Sequence, residues 1–161
     1  MSSFVIRPAE FPRDKPAALA FIDGLQEWEY RFEKNRRLDS TVAADHFATL
    51  EKDFAAKPHA VYLAEAPDGT ALGWAVVLEQ EDNIFVVEPE RRFVYIAELY
   101  LVEAARGAGA GRALIAACED WARSRGVKVL RIGVLSGNAR AHGVYRAAGF
   151  ADYAVELRKY L

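Results

Sequence analysis

Cysteine is almost missing from this sequence: Cys118 stands alone in 161 residues. A single thiol forms no intrachain disulfide, and no Cys/His cluster has the spacing of a zinc site, so no metal is expected. No apolar run approaches the roughly 18 residues that a membrane span requires. Met1 to Pro8 lacks the apolar stretch of a secretory leader. A protein of the cytoplasm, with no membrane role, is expected. Surplus charge of one sign is also lacking. The 21 Lys+Arg against 23 Asp+Glu leave −2, and no basic stripe with interleaved aromatics is present, so nucleic acid is not an expected partner. Repeats, low-complexity tracts and a Pro/Gly/Ser-rich linker are absent too, which leaves residues 1–161 as one expected domain.

What is present describes a globular chain. It is 52% hydrophobic and 27% charged, and a chain near ~150 residues buries about 68–70% of its unfolded surface. The small net charge conceals an asymmetry. Residues 1–92 sum to −6 and residues 93–161 to +4. An acidic half joined to a basic half hints at two unlike ligands.

Hydrophobic periodicity gives the element order. Phe4 to Arg7 reads as a strand ended by Pro8. Residues 13–30 read as a helix with Leu19, Phe21, Ile22, Leu25 and Trp28 at spacings of three and four, and Pro16 fits only its first turn. Asp39-Ser40 is the expected cap of a second helix carrying Ala43, Phe47, Leu50 and Phe54. Strands over 60–64 and 72–78 flank the turn sequence Pro67-Asp68-Gly69, an antiparallel hairpin. Residues 83–92 read as a loop or a short edge strand, and 93–102 as a long strand. A glycine run then leads into a helix over 112–125, which Gly126 stops. A strand over 127–134 follows, then a helix from Ser136-Gly137-Asn138 to Ala147, and strand from Phe150 to Tyr160. Helices thus interrupt a mixed sheet, with a parallel crossover over 93–134.

The chemistry starts at Arg106-Gly107-Ala108-Gly109-Ala110-Gly111. Three glycines in five positions, between a strand and a helix, let the backbone approach a ligand, and successive amides at the helix start cradle an anion. A P-loop is excluded because no Lys-Ser/Thr follows Gly111. A dinucleotide fold would carry its glycines after the first strand of a repeated parallel unit rather than two-thirds along the chain. A tight strand-to-helix turn without a ligand is the other meaning of such a run.

Arg106-x-x-Gly109-x-Gly111 resembles the Arg/Gln-x-x-Gly-x-Gly/Ala signature of the GNAT superfamily of N-acetyltransferases. Asn138-x-x-Ala141-x-x-x-Tyr145-x-x-x-Gly149-Phe150 resembles its second motif. Glu98-Leu-Tyr-Leu101 is similar to the strand before the glycine loop, and Phe4 to Pro8 to a first strand. The resemblance covers nearly the whole chain, most closely 93–150. It implies an α/β fold, with a central mixed, mostly antiparallel sheet of six to seven strands, a splayed parallel pair and about four flanking helices. It implies transfer of an acetyl group from acetyl-CoA, as co-substrate, to a primary amine of a small molecule by direct attack. Backbone amides of Gly107, Ala108, Gly109, Ala110, Gly111 and Arg112 would hold the pyrophosphate. Leu99 and Leu101 would offer main-chain groups to the thioester and pantetheine, and Asn138 would contact the pantetheine side. Tyr145 would stand near the sulfur as general acid.

Other chemistry comes from the residues themselves. A phenol can protonate a departing thiolate; otherwise Tyr145 packs with its hydroxyl on a backbone group. The attacking ammonium must lose a proton, and Glu98 is the candidate base, with an ion pair as its structural alternative; Glu79 and Glu81 are reserves. His46, His59 and His142 read as solvated or core-edge residues, and Cys118 as packed and inert. On the acceptor side, Trp28, Glu29 and Tyr30 could hold an alkyl chain with a distal ammonium, or belong to a solvated helix face. Arg91 and Arg92 could instead select a carboxylate. A protein N-terminal or lysine acetyltransferase and a non-catalytic acyl-CoA-binding module are the alternatives to a small-molecule enzyme. A homodimer is left open, with Phe85-Val86-Val87 as its candidate interface.

Overall fold

The computed structural model describes residues 4–161; Met1 to Ser3, part of the stretch searched for a leader, lie outside the described residues. Strands β1 (Val5–Pro8), β2 (His59–Glu65), β3 (Ala71–Glu81), β4 (Arg92–Leu101) and β5 (Leu130–Ile132) form one sheet in the order β1-β2-β3-β4-β5. The first three pairings are antiparallel, and β4 with β5 is parallel. Helices α1 (Lys15–Glu29), α2 (Val42–Ala56), α3 (Ala110–Ser124) and α4 (Ala139–Ala147) flank it. Pro16 does sit in the first turn of α1. The cap of α2 lies one residue later than expected, at Thr41, because Asp39 turns back to accept from the Thr41 amide and hydroxyl.

Strand alternation sorts the sheet into two cores. Trp74 and Val76 of β3 face α1 and α2, where Phe21, Ile22, Phe47 and Leu50 close over them. Ala75 and Val77 face the other way, against Leu114, Cys118 and Ala122 of α3. Among the described residues, no helix is long and apolar enough to cross a membrane.

Two expectations need correction, and of the two readings of residues 83–92 the structure takes the loop. The sheet has five strands rather than six or seven, because residues 151–161 adopt no strand in this chain. The strand expected over 127–134 is reduced to Leu130–Ile132. Segment 83–90 forms turns, with the Asn83 side chain accepting from Phe85 N.

The short β5 follows from a bulge in β4. Glu98 pairs with Val76 and Ile96 with Val77, so Ala97 is an extra residue on β4. A bulge bends its strand and interrupts pairing. The register of β4 with β5 ends at Ile96 and Ile132, where the bulge begins. Beyond that point the parallel strands part.

Candidate active site

The gap between the parted strands is a cleft of about 680 Å³. Ile96, Ala97, Leu99 and Leu101 of β4 form one wall, Gly133 to Leu135 and α4 another, and Leu25, Trp28 and Glu29 of α1 close one side. The glycine loop lies in the same wall.

That loop is built as an anion cradle. Gly107 and Gly109 have φ of +86° and +92°, a region closed to most L-residues, and a Cβ at either would enter open space. The first bond into α3 runs from Ala113 N to Gly109 O. The amides of Ala110, Gly111 and Arg112 therefore have no partner within the helix, at its positive end. Ala110 is itself buried in the core beneath the loop and stands outside the cleft wall, so the structure does not bring it to the site with its neighbours. Arg112 and Arg140 add charge to the wall.

Arg106 is turned away from the loop. Its Nε donates to Leu101 O at 3.0 Å, and its guanidinium lies 4.2 Å from the Trp28 ring centre and 5.7 Å from that of Tyr100. Arg31 lies over Trp28 as well, at 4.6 Å. The indole expected to meet an alkyl chain is thus engaged by two cations. Tyr30 stands outside the cleft wall as the α1 C-cap, with Lys34 Nζ over its ring at 4.2 Å.

Asn138 is buried and caps α4, accepting from Ala141 N at 3.1 Å through its amide oxygen, and it also lines the cleft. Two turns of helix onward from Asn138, Tyr145 enters the cleft with its ring edge-on to Phe150. Desolvation pushes its phenol up to about 12, and the charge of Glu29 and then Tyr95 add to the rise. The phenol therefore keeps its O–H proton at neutral pH. Glu29 is the one carboxylate in the wall among the described residues; its Oε2 accepts from Arg36 Nε at 2.7 Å.

Glu98 lies elsewhere. It is 7% exposed, outside the cleft wall, with Oε1 2.5 Å from His46 Nε2 of α2. The structure thus gives Glu98 the ion pair that was its structural alternative, with a histidine as the partner. The hydrogen bond to Glu98 raises His46 above its ordinary value, with desolvation opposing. The pair ties α2 to β4 beside the bulge residue Ala97. A raised histidine stabilises the fold fully below its unfolded value, and that contribution fades as pH rises through its folded value. His46→Ala should therefore cost stability near the low end of about 1–3 kcal/mol, since Glu98 loses its partner but the histidine side is open to water. It should also flatten the decline of stability above neutrality, as urea melts at acidic and alkaline pH would register.

The reserves are engaged as well. Glu79 binds Arg92 at 2.6 Å and Arg125 at 2.9 Å, Glu81 binds Arg91 at 2.9 Å, and none of these lines the cleft. Arg91 and Arg92 are accordingly not placed to select a carboxylate there. His59 stacks on Phe54 and His142 bonds Asp152. Cys118 is fully buried, and burial pushes its thiol up to about 12, which keeps it protonated and unreactive.

The sequence carried no signal for the Ala97 bulge, the His46 partner or the cation stack on Trp28, because each depends on which elements meet. The Ile132 to Leu135 wall was legible only as a strand.

A splayed parallel pair, a glycine cradle at a helix start and an asparagine-capped helix bearing a tyrosine come together in this cleft, an arrangement suited to an acyltransferase. The sequence matches the acetyltransferase (GNAT) family over residues 22–150, and the chain belongs to that family of enzymes. It is 36% identical over 100 residues to an aminoglycoside N(6')-acetyltransferase type 1 of Klebsiella aerogenes, covering 62% of this chain and 64% of that one. The chain thus spans just under two thirds of that relative. A Stenotrophomonas maltophilia enzyme of the same name is 32% identical over 110 residues, 68% of this chain and 71% of its own length. The fold superposes with a TM-score of 0.70 on AAC(6')-Iy in complex with the bisubstrate analog CoA-S-monomethyl-acetylneamine, at 22% identity over 99% of this chain and all of the other.

Proposed function

We propose that this protein transfers the acetyl group of acetyl-CoA to a primary amine of a cationic small molecule of the aminoglycoside kind. The observation that carries this is the opposed polarity of one cleft. Gly111 and Arg112, whose amides have no partner within the helix, line it, and so does Glu29, the one carboxylate there among the described residues, close enough to Tyr145 to raise its phenol. The names of the Klebsiella and Stenotrophomonas relatives favour an aminoglycoside.

The cradle fits the pyrophosphate of acetyl-CoA: its glycines leave open space at φ values that glycine tolerates, and its amides are unpaired. Bound there, acetyl-CoA supplies an activated thioester carbonyl. Leu99 and Leu101 lie along the wall that a pantetheine arm would follow, and Asn138 across from them. The incoming phosphates would compete with Trp28 for Arg106.

The remaining steps belong to this chain. Glu29 attracts the acceptor ammonium and takes up a proton, directly or through water, so that a neutral amine attacks. The C–N bond forms and the C–S bond breaks. Tyr145 donates its O–H proton to the departing sulfur and is reprotonated by the second proton that the nitrogen sheds once it is acylated, while Glu29 releases the first proton to solvent. Glu98, bound to His46, holds the bulged wall in place and does not touch the amine. No acyl-enzyme is needed, since the cleft presents no competent nucleophile among the described residues.

Glu29→Gln tests this. Over a panel of amines scored by thiol release, it should raise KM for polycationic acceptors about tenfold or more and lower kcat, with acetyl-CoA affinity unchanged. An unaltered KM, or a wild-type preference for anionic acceptors, would remove Glu29 from the acceptor site.

A further inference from the structure

The acceptor end of the cleft is furnished with cations from the chain itself. Trp28 and Glu29 close that end, and Tyr30 follows them at the C-cap of α1. Each of the three is met by a positive group from the next few residues. Arg31 lies over the Trp28 ring at 4.6 Å, Arg36 Nε donates to Glu29 Oε2 at 2.7 Å, and Lys34 Nζ lies over the Tyr30 ring at 4.2 Å. Aromatic faces and carboxylates are the groups that recognise ammonium. Here all three are filled from residues 31–36.

The segment is anchored so as to do this. Phe32 N and Glu33 N both donate to Glu29 O at 2.9 Å, and Lys34 Nζ donates to Tyr30 O at 2.8 Å, so the chain folds back over the end of α1. Phe32 reaches across to Gly137, where an added Cβ would lie 3.3 Å from the Phe32 Cβ, next to the Asn138 cap of α4. Glu33 is bound by Arg158 at 2.7 Å. The hold on Glu29 itself is slight. Arg36 meets it through Nε, and the two side chains are 28% and 25% exposed. Arg37, next in the chain, binds Asp39 through two nitrogens and Asp45 as well. A one-point, part-exposed pair contributes little and exchanges readily.

We propose that residues 31–36 are a tethered stand-in for the acceptor: Arg36 and Arg31 occupy the cation places at Glu29 and Trp28, and the acceptor binds by exchange with them. This rests on the reading of Glu29 as the acceptor carboxylate and deepens it. A cation on a short tether competes at an effective concentration in the millimolar range. An amine with one ammonium displaces Arg36 alone and makes one ion pair for the one it breaks. An amine with two or more linked ammonium groups displaces Arg36 and Arg31 together, and linkage makes the second contact far easier than the first. The segment thus sets a threshold that polycations pass and single-charge amines do not. The substrate class is a small amine with a second positive group, one meeting Glu29 and the other the Trp28 face. Acetyl-CoA assists by drawing Arg106, the other cation on that indole, toward its phosphates.

Calorimetry of the CoA-bound protein, titrated with butylamine or with the polyamine neamine, tests this. Arg36→Gln should tighten both about fivefold, the upper range for a part-exposed pair, and Arg36→Lys should restore the unmodified affinity. Adding Arg31→Gln should tighten neamine about threefold further and leave butylamine where the single variant put it. Salt supplies a readout that a merely structural role would not move. Exchange leaves the number of ion pairs unchanged, so butylamine binding to the unmodified protein should weaken less than about twofold between low and physiological salt. Arg36→Gln, which must form a pair outright, should lose about threefold or more. Weaker binding of both amines to Arg36→Gln would overturn the proposal, the result expected if the guanidinium only orients Glu29. So would unaltered affinities in that variant while Glu29→Gln weakens neamine, which leaves the acceptor reading standing. Glu29→Gln without effect on neamine would overturn both together.

Discussion

Tyr145→Phe is expected to lower kcat by about 10²–10⁴ while acetyl-CoA binds with unchanged affinity, the range for a lost general acid. The substitution removes one oxygen and keeps the ring against Phe150, so a packing account predicts little change. The difference lies in the donor. Desolvation first, then Glu29 and Tyr95, push the phenol up to about 12, so the O–H is retained across any working pH. A group with a raised value keeps its proton below that value and loses it above; no alkaline limb from Tyr145 should appear until pH nears 12. Thiol release under saturating substrates, paired with calorimetry of acetyl-CoA binding, separates the two accounts. Turnover within about threefold of the unmodified enzyme would assign Tyr145 to packing.

Gly109→Glu is expected to abolish acetyl-CoA binding altogether. Gly109 holds φ at +92° at the N-cap of α3. Any side chain there is strained, and a carboxylate at the positive end of the helix would occupy the space proposed for the phosphates. Gly109→Ala separates the causes. It adds strain but meets no atom within 4 Å, so it should weaken acetyl-CoA binding far less than the glutamate does. Calorimetry on both variants, with folding checked by thermal melts, gives the comparison. Binding retained by the glutamate variant would place the pyrophosphate elsewhere.

Much of the site was legible because it is local. The cradle needs glycines at fixed offsets from a helix start, and the α4 motif needs a cap seven residues before a tyrosine; both fit within a few turns of chain. Glu29 was legible as a carboxylate at the end of an amphipathic helix. Glu98 was legible only in part. Its type and burial followed from the strand pattern, but its partner is His46, 52 residues earlier, on a helix where that histidine read as solvated or core-edge. Tyr30, one residue from Glu29, stands outside the wall because α1 ends there and turns it toward Lys34.

By itself, the sequence determined the family, the order of helices and strands up to Ala147, and the residues proposed to bind anion and donate a proton. Those depend on near-neighbour spacing, which the chain states directly. Tertiary structure decided the rest. The Ala97 bulge sets where β4 and β5 part, and therefore where the cleft opens. The packing of α2 on β4 takes Glu98 out of the cleft and leaves Glu29 as its carboxylate. The path from α4 leaves residues 151–161 a strand in pattern but not in pairing. Each outcome turns on contacts between residues far apart in sequence, and strand pairing in particular is satisfied or not by what lies alongside.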